Sequence, residues 1–227
     1  VSTSCSFTIQ QGAKIIFSAR LQSHGSNQLD MVLARFDSNG LLDTTFGFNG
    51  RVRIGPRAMG ADIDVTGING YEGLCSGAIQ TDGKIVLGGT IYRGFGSLRI
   101  GVLRLNQNGQ LDNGFGSNGL YELSGFSESN YGNQIAIDSQ QRIVIAGKID
   151  APFGSNFGSR GLAIRLASNG QLDSTFNDNN GFFSWNVTAS GQVDAPFSAP
   201  YFTAITTQSD NKILLGGCSG YCSSDSE

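Results

Sequence analysis

Histidine occurs once in this chain, at His24, and there is no C-x-x-C pair. A structural zinc site is therefore not expected, and no metal is assigned. A Ser-His-Asp arrangement would have to recruit that imidazole from the loop Gln22-Ser23-His24-Gly25-Ser26, where a lone histidine favours surface placement over nucleophilic catalysis. Charged side chains make up 15% of the chain, against about a quarter in an ordinary soluble domain. With a net charge of −3 there is no basic footprint for nucleic acid. No apolar run nears the ~18 residues of a membrane-crossing helix, so no membrane span is expected. Gly94-Phe95-Gly96 lies between expected strands and is not a phosphate cradle, and no cofactor is expected. The opening residues VSTSCSFTIQ show neither a charged n-region nor an apolar h-region. The expectation is a chain without a signal peptide, or one already processed or trimmed.

Glycine is plentiful: 33 of 227 residues, roughly twice the usual share. That composition predicts many turns, short strands and little helix. The length suits one large all-β domain or part of one.

The chain is organised by a repeat. Ile15, Ile85, Ile143 and Ile213 are equivalent, at steps of 70, 58 and 70. Asn39-Gly40, Asn108-Gly109 and Asn169-Gly170 recur at steps of 69 and 61, and Leu42-Asp43, Leu111-Asp112 and Leu172-Asp173 keep those steps. Each copy reads as four short strands, in the second copy 72–80, 84–92, 97–106 and 120–123. Thr81-Asp82-Gly83 is a tight turn with glycine where a positive φ is needed. Gln11-Gly12-Ala13, Ser139-Gln140-Gln141 and Ser209-Asp210-Asn211 fill the same place. Apolar runs follow, such as Ile85-Val86-Leu87, as in strands buried on both faces. Small residues come next (Gly88-Gly89, Ala146-Gly147, Gly216-Gly217) and would let another sheet approach closely. The third strand carries Arg35, Arg104 or Arg165, then the Asn-Gly turn, then Leu-Asp-x-x-Phe.

Four antiparallel strands per unit of about 60 residues predict an all-β fold, a β-propeller. About three and a half four-stranded antiparallel blades are expected, over 1–56, 72–124, 128–187 and an incomplete 199–222. Because propellers close with four to eight blades, roughly, the expectation is part of a larger ring.

The run LARF-x-x-x-G-x-LDTTFG-x-x-G-x-V, paired with AIQ-x-DGKIV-x-GG, resembles the delta-60 repeat, a bacterial β-propeller repeat family of unknown function. Residues 8–52, 78–121, 136–183 and 206–218 carry it. The third copy departs, with Gln140-Gln141-Arg142 for D-G-K and Asn177 for the glycine after phenylalanine. The resemblance implies the fold and no catalytic residues.

Several motifs are candidates for chemistry. An arginine repeated in an apolar strand needs a partner, because buried unpaired charge is costly. Pairing of Arg35, Arg104 and Arg165 with Asp43, Asp112 and Asp173 is the structural reading, and an arginine-lined anion site the alternative. The stretch from Asp37 to Asp43 resembles a short calcium loop, but the first acid is lost in the other copies and a turn fits better. Asp62 and Asp64 share one loop and are candidates for acid–base chemistry or simple solvation. Asn186-Val187-Thr188 is a glycosylation sequon. Cys218 and Cys222 flank Ser-Gly-Tyr and are expected to pair; Cys5 and Cys75 are the other candidate pair, set against the wide spacing of equivalent positions on neighbouring blades, and four ordinary thiols in a cytosolic protein are the alternative. Disulfides suit a secreted, periplasmic or cell-surface protein.

Length differences between copies concentrate in the connections between second and third strands and between successive blades. Insertions on one face of a repeat array mark its working side. The ligand-binding candidates there are Arg57, Asp62, Asp64, Tyr71, Tyr92, Arg93, Phe95, Phe153, Phe157, Arg160 and Tyr201. The expected function is a non-enzymatic binding or structural module for a protein or glycan partner, open to assembly with the rest of a propeller or with other chains. The alternative is a propeller hydrolase or lyase acting on a glycan through loop carboxylates.

Overall fold

The structure, a computed structural model, describes residues 3–10, 12–22, 29–55, 63, 74, 76–93, 97–125, 129–150, 159–178, 180–185 and 201–218. β1 (Thr3–Gln10), β2 (Lys14–Gln22), β3 (Leu29–Phe36) and β4 (Arg51–Ile54) form one antiparallel sheet. β5 (Ser76–Ile79), β6 (Ile85–Tyr92), β7 (Leu98–Leu105) and β8 (Leu120–Glu122) form a second. β9 (Asn130–Ile137), β10 (Ile143–Ile149), β11 (Arg160–Leu166) and β12 (Phe182–Trp185) form a third. β13 (Tyr201–Thr207) and β14 (Ile213–Cys218) make a two-stranded fourth. Each sheet is a simple meander, and no helix occurs among the described residues. The first strands neighbour one another, β1 with β5, β5 with β9 and β9 with β13, so they lie innermost. This is the propeller-like, all-β arrangement expected from the repeat, with sheets as blades.

The turn between first and second strands is left-handed at its third residue in all four copies. Ala13, Gly83, Gln141 and Asn211 have φ of 56°, 80°, 63° and 64°. The third copy holds this turn without glycine because the Asp138 carboxylate accepts from the Gln140 and Arg142 amides, both at 2.9 Å. That local hydrogen bonding offsets the cost of a non-glycine residue in the left-handed region.

Alternate side chains on a strand point to opposite faces, and the second strands use both. Ile16 and Leu87 meet in the cluster between blades one and two. Val86 and Ile145 meet between two and three, and Val144 with Leu215 between three and four. Burial on both faces explains the unbroken apolar runs of β6 and β10. Each such side chain contributes about 1.5–3 kcal/mol. Close approach also needs the small residues: a Cβ at Gly88 of β6 would run into the Ile135 side chain of β9. Among the described residues the array has two open ends. Phe17 on the outer side of blade one is 47% exposed, and Leu214 on the outer side of blade four is 51% exposed.

Candidate functional site

The repeated arginines build the most ordered polar site. The Arg35 guanidinium donates through Nε to Asp43 (3.0 Å), through Nη1 to the Gln10 side chain (3.1 Å) and through Nη2 to the Thr45 hydroxyl (3.1 Å). It also stacks over Phe46, 4.6 Å from the ring centroid. Its Nη1 reaches further, to the Gln107 carbonyl of blade two at 2.6 Å. Arg104 repeats the pattern with Asp112, the Gln80 side chain, the Phe115 ring and the Ser168 carbonyl of blade three. Arg165 repeats the intrablade half with Asp173, Thr175 and Phe176. The expected Arg–Asp pairing is therefore present in all three copies, and each aspartate also caps its own turn as expected.

What sequence reasoning missed is the crossing between blades. The Gly47 and Gly116 amides donate to the carbonyls of Asn108 and Asn169 in the next blade, both at 2.9 Å. Gln10 donates to the Gly83 carbonyl at 2.7 Å and Gln80 to the Gln141 carbonyl at 3.0 Å. The recurrence of Gln10 and Gln80 at the end of a first strand was the available signal. The fixed-length turns are thus the stitching between blades, which accounts for their constant length.

Electrostatics follow from this geometry. Hydrogen bonds from the Lys14 ammonium and the Thr45 hydroxyl, with Arg35 beside them, hold the Asp43 carboxyl well below the usual carboxylate range. Burial pushes the Asp112 carboxyl up, but Arg104, the Gly114 amide and Lys84 more than offset it and the net shift is downward. At Asp173 burial is likewise outweighed, by Thr175 and Arg165. All three are carboxylates at neutral pH, serving as acceptors.

The cavities come in repeat-equivalent pairs. A groove of about 780 Å³ between blades one and two is lined by Thr45, Phe48, Asn108 and Asn113. Its counterpart between two and three, about 840 Å³, runs past Ser117 and Tyr121 up to Arg93 and Glu122. Two smaller clefts nearer the axis are lined by Gln80, Lys84 and Arg104, and by Gln10, Lys14 and Arg35. They recur because radial blades diverge outward. Burial pushes the Tyr121 phenol up to about 12, so it is a neutral hydroxyl in its groove.

Of the loop-face candidates, Arg57, Asp62, Asp64, Tyr71, Phe95, Phe153 and Phe157 lie outside the described residues. Tyr92 ends β6, Arg160 starts β11 and Tyr201 starts β13, so the three share the end of the blades opposite the fixed turns. Arg93 follows β6 and pairs with Glu122 through Nε at 2.8 Å. Asp37 accepts from the Asn39 and Leu41 amides, both at 2.9 Å, which is the turn role rather than a calcium loop. Among the described residues no group of three or more His, Cys, Asp or Glu is placed to hold a metal ion. Cys218 is disulfide-bonded, and the Cys5, Cys75 and Cys222 side chains lie outside the described residues.

Comparison with known proteins gives three findings. A family model described as a β-propeller domain of unknown function (DUF5122) matches residues 15–46 and 80–115. No curated protein matches. A solved structure described as a new family of polysaccharide lyase, an ulvan lyase, is similar at a TM-score of 0.33 and 13% identity, over 95% of this chain and 52% of that one. This chain thus spans about half the length of that protein. The repeat, the antiparallel four-stranded sheets and the family-model match together make the chain a propeller-like all-β protein, similar over two stretches to a β-propeller domain of unknown function.

Proposed function

We propose that the chain is a non-enzymatic binding or structural propeller module whose recognition surface for a protein or glycan is the loop face. One observation carries the reading: the repeated side chains Gln10, Arg35, Gln80 and Arg104 of the opposite face are used to hold blades together. Arg35 and Arg104 direct their Nε and Nη1 donors to their aspartates, glutamines and neighbouring-blade carbonyls. Groups spent on cohesion are not free to vary with a ligand, and the length variation falls on the other side. The delta-60 resemblance and a secreted, periplasmic or cell-surface setting belong to the same proposal.

The test is a glycan microarray probed with the wild-type chain and two triple variants. One carries Arg57→Ala, Tyr92→Ala and Phe157→Ala; the other carries Ser38→Ala, Asp82→Ala and Ser117→Ala on the fixed-turn face. Binding lost with the first set and kept with the second is the expected result. Loss with the second set alone reverses the face. Appearance of new reducing or unsaturated sugar ends would replace the module reading with the glycan-cleaving one.

A further inference from the structure

The two larger grooves run into one another. The groove between blades one and two, about 780 Å³, and the one between blades two and three, about 840 Å³, share two lining residues, Leu111 and Asn113. They meet over the turn that follows β7 and form one track across blade two. Each alone has the size of a ligand pocket, about 300–1,000 Å³. Val52, buried, and Leu111, partly buried, make an apolar floor. Exposed amide side chains stand along it: Asn108, Gln110 and Asn113 in the first groove and Gln171 in the second. Charge is sparse. Among the described residues that line the first groove none is charged, whereas the clefts nearer the axis hold Lys14 and Arg35, or Lys84 and Arg104. In the second groove Arg93 and Glu122 pair with each other.

One aromatic at the lip is peculiar to its copy of the repeat. The residue after the left-handed Gly47 is Phe48, 73% exposed, where the other copies carry Ser117 and Asp178. The packing role in this turn belongs to Phe46, which is fully buried, so the core does not need a second ring. The backbone that carries Phe48 is fixed on both sides. The Phe48 amide donates to the Arg51 carbonyl at 2.7 Å, and the Gly47 amide to the Asn108 carbonyl of the next blade at 2.9 Å. The tip bearing the ring and the wall bearing the amides are thus held together in advance, which lowers the cost of ordering them around a ligand.

We propose that this track binds a linear, uncharged oligosaccharide. A pyranose ring has an apolar C–H face and an edge of hydroxyls. The face stacks on Phe48, and the hydroxyls, each a donor and an acceptor, meet side-chain amides that are also both. Two joined grooves with amides along each accommodate several rings in line rather than one. The balanced charge gives an acidic chain no added attraction. The track lies beside the fixed turns at the outer rim, so it is separate from the loop-face surface and does not rest on that reading.

Titration calorimetry of the 227-residue chain tests this, with neutral gluco-, manno-, galacto- and xylo-oligosaccharides as disaccharides and hexasaccharides, and hexagalacturonate as the acidic probe. The expected result is saturable one-to-one binding of at least one neutral hexasaccharide, about tenfold or more tighter than its disaccharide. Phe48→Ala should weaken that binding about tenfold or more, and Phe48→Trp should keep it. Asn113→Ala, at the junction, should weaken the hexasaccharide more than the disaccharide. Both side chains are exposed, so the melting transition should stay in place. The proposal is overturned by absence of binding across the neutral panel, by tighter binding of hexagalacturonate, or by unchanged affinity of Phe48→Ala. The loop-face variant carrying Arg57→Ala, Tyr92→Ala and Phe157→Ala should bind the hexasaccharide as the wild type does. Loss in that variant alone would place the sugar on the loop face, overturning the track and sparing the module reading.

Discussion

Arg35 in the third strand of blade one donates to the main-chain carbonyl of Gln107 in blade two, at 2.6 Å. The side chain is 3% exposed; the same Nη1 also donates to Gln10, while Nε and Nη2 hold Asp43 and Thr45. One side chain thus fixes the local turn and the angle to the neighbouring blade. A lysine has no fork with which to do both.

Removing these clamps should destabilise unequally. Arg35→Ala and Arg104→Ala each leave a part-buried carboxylate with fewer donors and the cross-blade hydrogen bonds unmade, and should cost about 3–5 kcal/mol. Arg165→Ala lacks the cross-blade part and should cost less, about 1–2 kcal/mol. Urea unfolding measures both; equal losses at all three positions would contradict the cross-blade role.

Acid should loosen the blades in a defined order. The folded-state pKa values of Asp43, Asp112 and Asp173 are depressed. A depressed carboxylate contributes stability that is present above its unfolded value, near 3.9, and lost as pH falls through the folded one. Stability should be level from neutrality to about pH 5 and decline below about pH 4. Asp43, bonded to Lys14 at 2.8 Å where Asp112 stands 3.5 Å from Lys84, should protonate last. Carboxyl NMR titration gives the order.

Two glycines separate strain from packing. Gly40 has φ 78° with nothing within 4 Å of a built Cβ. Gly40→Ala should cost about 1 kcal/mol, from the left-handed backbone alone. Gly109 has φ 86° with the Phe46 ring 2.8 Å away, and Gly109→Ala should cost about 1–3 kcal/mol more from overpacking. Thermal melts of the two variants side by side decide it; similar losses would mean that Phe46 yields.

Non-reducing peptide mapping should link Cys218 to Cys222, the cysteine just beyond β14 in sequence. A link from Cys218 to Cys5 or Cys75 would instead join separate blades. Four free thiols would move the expected compartment from an oxidising one to the cytoplasm.

The repeat alone determined the strand order, the turns and the residues of the apolar runs. These are local consequences of period-two burial and of turn chemistry, as at Gly83 and at the Asp112 cap. It also carried the Arg–Asp pairing, because the partners lie eight residues apart within one blade. The tertiary structure decided what the guanidinium does with its remaining donors. Arg35 to Gln107 spans 72 residues and Gln10 to Gly83 spans 73, separations set by how blades stack rather than by any motif. It likewise decided that Phe46 and Phe115 serve as seats for a neighbour's glycine while Phe176, built from the same sequence pattern, has no such neighbour among the described residues. Local pattern specifies each blade, but contact between blades depends on which surfaces meet, and only their packing in space supplies that.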